Sequence, residues 1–130
     1  MGAAENKEVV RQMREAKGID AILATMSDDV RWTLIGTTKF SGMLNGKQEI
    51  VEKLFKPIFA QIETPGSNVI DNIIAEGDYV VVQQRGTGRR TKLGKDYNNT
   101  YCIVYKVADG KIKEITEYCD TELITSAFGR

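Results

Sequence analysis

The sequence predicts an α+β fold in a single domain spanning residues 1–130, and three observations carry that reading. Amphipathic helical spacing dominates the chain up to Glu63, alternating β-favouring runs dominate it after Ser67, and the Asp109-Gly110 pair joins two such runs. An Asp-Gly pair between alternating runs is the strongest short-range signal for a tight hairpin. Helices first and antiparallel strands later is the α+β order.

Taken in order, Val9, Val10, Met13 and Ala16 recur at helical spacing between Glu5 and Lys17, with charges between them, and Gly18 stops the helix. A short second helix, Ile19 to Ala24, turns Ile22 and Leu23 toward the first, and Thr25 to Asp29 connects it onward. Val30 to Ile35 alternates as a strand with Val30, Trp32 and Leu34 on one face, and Phe40 to Leu44 reads as a short extended segment. Asn45 then caps a long helix from Lys47 to Glu63. Its Ile50, Leu54, Ile58 and Ile62 form one row and Val51, Phe55 and Phe59 the next, a stripe suited to covering a sheet. Pro57 lies inside it and removes one backbone donor, so a kink is expected there. After the Thr64-Pro65-Gly66-Ser67 break come Val69 to Ala75, Tyr79 to Gly88, a third strand beyond Lys95, and the closing hairpin of a meander. Leu123 to Phe128 is an apolar tail placed over a sheet edge or a pocket mouth.

With Asp109-Gly110 as the turn, Ala108 pairs with Lys111. Regular stepping then sets Ile103 opposite Thr116, Tyr101 opposite Tyr118 and Asn99 opposite Asp120. Those six share a face that mixes aromatic rings with an amide and a carboxylate, as a pocket lining does. Cys102, Val104, Ile115, Glu117 and Cys119 fall on the other face. A slip of one residue would exchange the two faces.

Composition narrows the chemistry. The 18 basic and 18 acidic residues cancel and form no basic stripe, which argues against a nucleic-acid partner. The absence of histidine excludes histidine-dependent triads and most zinc sites, and two scattered cysteines cannot form a metal cluster. Both thiols are expected free. Acid/base work must therefore come from Asp, Glu, Tyr, Lys or Cys. No run approaches a membrane span and no positive-then-apolar leader opens the chain, so a cytoplasmic protein without a membrane partner is expected.

The element order, together with Asp29-Val30-Arg31-Trp32-Thr33-Leu34, Phe40-Ser41-Gly42, Tyr97-Asn98-Asn99-Thr100-Tyr101 and Glu117-Tyr118-Cys119-Asp120-Thr121, resembles the nuclear transport factor 2-like superfamily, in its SnoaL-like and ketosteroid-isomerase-like branch. The resemblance implies a cone-shaped, curved antiparallel sheet wrapped by N-terminal helices, a small hydrophobic or polyketide-like ligand in the cone, a homodimer formed through the sheet, and no cofactor. It also implies a choice between isomerase or cyclase chemistry, by proton transfer next to a carbonyl, and a non-catalytic ligand-binding or dimerisation module.

On the same resemblance, Asp120 is similar to the carboxylate that closes the equivalent strand in limonene epoxide hydrolase, and Arg85 to the arginine that bridges two aspartates there. The second aspartate position is Thr87, which argues against epoxide hydrolysis by that route. Asp120 is thus the first candidate for moving a proton and Arg85 for setting its ionisation, against the alternatives of a strand-end cap and a structural ion pair. Trp32, Asn99, Tyr101 and Tyr118 are the candidate ligand-binding residues: Trp32 and the two tyrosines as walls, and Asn99 to orient a ligand carbonyl or to hold Asp120.

Overall fold

The structure, a computed structural model, describes residues 2–130. Helices α1 (Ala3–Glu15) and α2 (Ile19–Leu23) precede strand β1 (Met26–Leu34) and the short β2 (Gly42–Asn45). Helix α3 (Lys47–Ile50), a π-helical turn (Val51–Phe55) and α4 (Lys56–Gln61) run on as one rod, followed by β3 (Ile62–Thr64). Strands β4 (Ser67–Glu76), β5 (Tyr79–Thr87), β6 (Arg90–Thr91), β7 (Thr100–Ala108) and β8 (Lys111–Cys119) follow, and α5 (Thr121–Phe128) closes the chain. Six strands form one curved, open sheet in the order β2-β1-β8-β7-β5-β4, and β3 and β6 form a separate two-stranded piece. The large sheet is antiparallel except where β1 runs parallel to β8. No helix among the described residues is long and apolar enough to cross a membrane.

The π turn is the form that the expected kink takes. Pro57 has no N–H to offer the carbonyl four residues back, and its ring crowds that turn. The ladder widens instead, with the Lys56 N–H bonding to the Val51 carbonyl. Two boundaries differ from expectation at this rod: Gly46, not Asn45, is the N-cap, because Asn45 is already paired with Arg31 in β2, and the helix ends at Gln61 as Ile62 joins β3.

Helix α1 lies on the inner face of the sheet. Its Val10 and Met13 are buried, and Asn6 donates to the Gly77 carbonyl at 3.2 Å, fixing the helix to the β4–β5 turn. The core beneath it is built from alternate residues of the central strands: Val80 and Val82 on β5, Ile103, Tyr105 and Val107 on β7, Ile112 and Ile115 on β8.

The β7–β8 hairpin has the expected turn and a different register. Asp109 and Gly110 both have positive φ, 54° and 73°, and Ala108 pairs with Lys111. The pairing then runs Val107 with Ile112 and Lys106 with Glu114, so Lys113 is an extra residue bulged out of β8. Everything beyond it shifts by one: Ile103 faces Glu117, Cys102 faces Tyr118 and Tyr101 faces Cys119. The expected pairs Ile103–Thr116 and Tyr101–Tyr118 are therefore not formed. The physical cause is that Ile112 and Ile115 are both buried although an odd number of steps separates them, which regular alternation forbids and a bulge permits.

Candidate functional site

The bulge turns Glu117 inward and Tyr118 outward. Glu117 lines a cavity of about 340 Å³ between the inner face of the sheet, the α3–α4 rod and α5. Most of the wall is apolar: Leu54, Phe55, Ile58 and Phe59 from the rod, Leu34 and Ile103 from the sheet, Ile124 and Phe128 from α5. Phe55 stands edge-on to Trp32 at 5.5 Å and stacks on Phe59 at 5.7 Å. Phe128 packs edge-on against Phe40 and Tyr97, at 5.5 and 4.7 Å, and its carbonyl accepts a hydrogen bond from the Lys39 ammonium at 2.9 Å, so α5 is pinned across one end. Gly36 lets the β1–β2 loop approach α5: its φ is +86° and a Cβ there would stand 2.7 Å from Thr121 Cγ2.

The polar groups of the wall are few. Trp32 Nε1–H donates to Glu117 Oε1 at 3.1 Å. Burial in these apolar surroundings raises the Glu117 carboxyl above the usual glutamate range, against the smaller opposing effects of the Trp32 hydrogen bond and the Arg14 charge. The Tyr101 hydroxyl donates to the Tyr97 hydroxyl at 3.4 Å, and burial raises both phenols. Beside them, the Cys119 thiol is pushed up to about 12 by burial and by the Glu117 and Asp120 charges, which leaves it a neutral thiol rather than a nucleophile. Gln84, Asn68, Arg14 and Arg89 complete the polar lining.

Of the residues singled out from the sequence, Trp32 and Tyr101 line this cavity and the others do not. Asp120 is exposed and caps α5, its side chain accepting from the Leu123 N–H at 3.2 Å. Arg85 stands on the outer face, paired with Asp71 at 3.3 Å and not with Asp120, because it faces Thr100 rather than Asn99 across the ladder. Tyr118 is 44% exposed on that outer face. Asn99 is fully buried with every hydrogen-bonding position used: Nδ2 donates to the Asp120 carbonyl at 3.0 Å and the Tyr97 hydroxyl at 3.1 Å, while Oδ1 accepts from the Asp120 and Thr100 N–H groups. It holds Asp120 by the backbone and Tyr97 by the ring oxygen, with nothing left for a ligand carbonyl. Cys102 and Cys119 are free, on opposite faces of the hairpin.

Sequence reasoning passed over Glu117, Tyr97 and Gln84. The pair Ile112 and Ile115 was the signal for the first, since burying both requires the bulge that brings Glu117 inside. Tyr97 lies in the loop before β7, where no periodicity assigns a face.

The SnoaL-like domain model matches residues 8–115, most of the chain. The chain belongs to the SnoaL-like family. Solved structures place this SnoaL-like domain in the nuclear transport factor 2-like fold. It is similar to a nuclear transport factor 2-like protein from Burkholderia thailandensis, with 20% identity, 98% of each chain covered and a TM-score of 0.82. A candidate isomerase from Bacillus subtilis has 18% identity, covering 97% of this chain and 94% of its own, with a TM-score of 0.82. A candidate SnoaL-like polyketide cyclase from a Jannaschia species has 19% identity, covering 98% and 93%, with a TM-score of 0.74. No curated protein matches the chain in sequence.

Proposed function

We propose that this SnoaL-like domain takes a small apolar carbonyl compound into its cavity and moves a proton next to that carbonyl, as an isomerase or cyclase does, with Glu117 as the acid/base. The observation that carries the reading is Glu117 itself: a carboxyl raised by burial, held in one orientation by an indole N–H at 3.1 Å, on the wall of an otherwise apolar cavity of about 340 Å³. Raising the carboxyl brings the proton affinity of its carboxylate closer to that of the enolate formed when the ketone gives up its α-proton, and keeps the acid able to give the proton back. The proton-transfer role expected of Asp120 passes to Glu117, three residues earlier, because only Glu117 faces the cavity. Trp32 serves both as a wall and as the group that orients the carboxyl. The names of the fold relatives, a candidate isomerase and a candidate polyketide cyclase, are in keeping with this class of reaction.

The test uses 2-tetralone, a small apolar ketone with exchangeable protons beside its carbonyl. Trp32 is the sole tryptophan, so its fluorescence reports occupancy of the cavity directly. The expected result is quenching on binding and accelerated exchange of the ketone's α-protons in D2O, followed by proton NMR, with the acceleration lost in Glu117→Gln. Binding without any acceleration in the wild type would make the domain a ligand carrier and overturn the proton-transfer reading. The exposed Ile74, Tyr79 and Tyr118, all on the outer sheet face, favour the further proposal of a homodimer through the sheet. Light scattering would show it as twice the chain mass.

A further inference from the structure

Gln84 sits on the cavity wall, 3% exposed, and its Oε1 accepts no hydrogen bond from any of the described residues. A buried amide oxygen without a donor costs about 1–3 kcal/mol, so a chain that only had to fold would do better with a methionine or leucine there. The surrounding hydrogen bonds make the vacancy specific. Tyr101, the cross-strand neighbour of Gln84, spends its hydroxyl proton on Tyr97. Tyr97 accepts that bond and a second from Asn99 Nδ2, so both its lone pairs are engaged and its own proton has no acceptor among the described residues. One wall of the cavity thus presents an acceptor that lacks a donor, Gln84 Oε1, and a donor that lacks an acceptor, the Tyr97 hydroxyl.

We infer that this wall is a recognition site for a hydroxyl group on the ligand. A hydroxyl donates one proton and accepts at its lone pairs, the two functions this wall leaves open. A bare carbonyl, an ether or a carboxylate offers no proton and leaves the glutamine oxygen without a donor. The inference rests on the reading of Glu117 as the group at the reacting carbonyl and adds a second polar point to it. Gln84 on β5 and Glu117 on β8 flank β7, two strand spacings apart, or about 10 Å across the sheet. The substrate class is therefore a hydroxylated ring ketone, with the hydroxyl and the reacting carbonyl toward opposite ends of a fused-ring skeleton and apolar carbon between them. Gln84 is a specificity-determining residue in this scheme and takes no part in the proton transfer.

The test compares 6-hydroxy-2-tetralone with 2-tetralone by isothermal titration calorimetry. The wild type is expected to bind the hydroxylated ketone about tenfold more tightly, and this comparison needs no variant. In Gln84→Met, which keeps the side-chain volume and removes the orphan oxygen, the preference should disappear through loss of affinity for the hydroxy compound alone, and the apo-protein should melt at an equal or higher temperature. In Glu117→Gln the hydroxyl preference should survive while α-proton exchange is lost. Equal affinities in the wild type, or a preference that Gln84→Met leaves intact, would overturn the inference and leave the proton-transfer reading standing. Failure of either ketone to bind would overturn both.

Discussion

The two faces of the β7–β8 hairpin are made from alternate residues of the same strands, yet they treat their carboxylates in opposite ways. On the outer face Glu114 is ion-paired with Arg31 and stands 3.9 Å from Lys106, where water screens every charge. On the inner face, three residues later in the same strand, Glu117 has no ion-pair partner among the described residues and receives a single neutral N–H from Trp32. Surface pairing makes the first carboxylate chemically ordinary; burial raises the second and fits it to exchange protons. The difference is one of face, not of residue type: three residues separate the two glutamates, so they point to opposite sides of the strand, and the Lys113 bulge decides which of them points inward.

The sharpest way to break this comparison is kinetic. Glu117→Gln should lower the rate of α-proton exchange by about 10²–10⁴-fold, the usual worth of a positioned acid/base, while Glu114→Gln leaves it unchanged. Equal losses in the two variants would dissolve the distinction between the faces. The next effect is on stability against pH. Because the folded Glu117 carboxyl is raised, the folded state holds its proton more tightly than the unfolded chain does. The resulting stabilisation is full below the unfolded glutamate value and is lost as pH rises through the folded value. Urea melts of the wild type should thus weaken relative to Glu117→Gln between acidic and neutral pH, and parallel curves would count against a raised carboxyl.

Smaller effects sharpen the assignment of Asp120 and Arg85. Removing the α5 cap with Asp120→Ala should cost about 1 kcal/mol in a urea melt and leave the NMR titration of Glu117 where it was. A large shift of that titration would put Asp120 back beside the cavity. Arg85→Met removes an exposed pair with Asp71 and should change stability by no more than about 1 kcal/mol, without effect on ketone binding.

Much of this architecture could be read directly from the chain. Periodicity located α1, α2, the rod and the long strands β4, β5, β7 and β8, and Asp109-Gly110 located the hairpin turn, because these signals are local; it took the first residues of β1 for a connection and α5 for an apolar tail, because those depend on partners far along the chain. The site was less legible. Trp32 and Tyr101 were placed at the cavity by strand alternation, but Tyr118 and Glu117 were exchanged, since the stepping was carried regularly from the turn through a bulge. Asp120 and Asn99 were brought together as expected, though through the Asp120 backbone rather than its carboxylate.

By itself, then, the sequence determined the α+β order, the turn, the apolar stripe of the rod and the absence of histidine chemistry. Tertiary structure decided which carboxylate meets the cavity. Burying both Ile112 and Ile115 against α1 and the sheet core removes more apolar surface from water than regular pairing of β8 could. The strand therefore bulges at Lys113, and that single unpaired residue turns Glu117 inward, a choice made by contacts far apart in the chain and marked locally only by the odd spacing of Ile112 and Ile115.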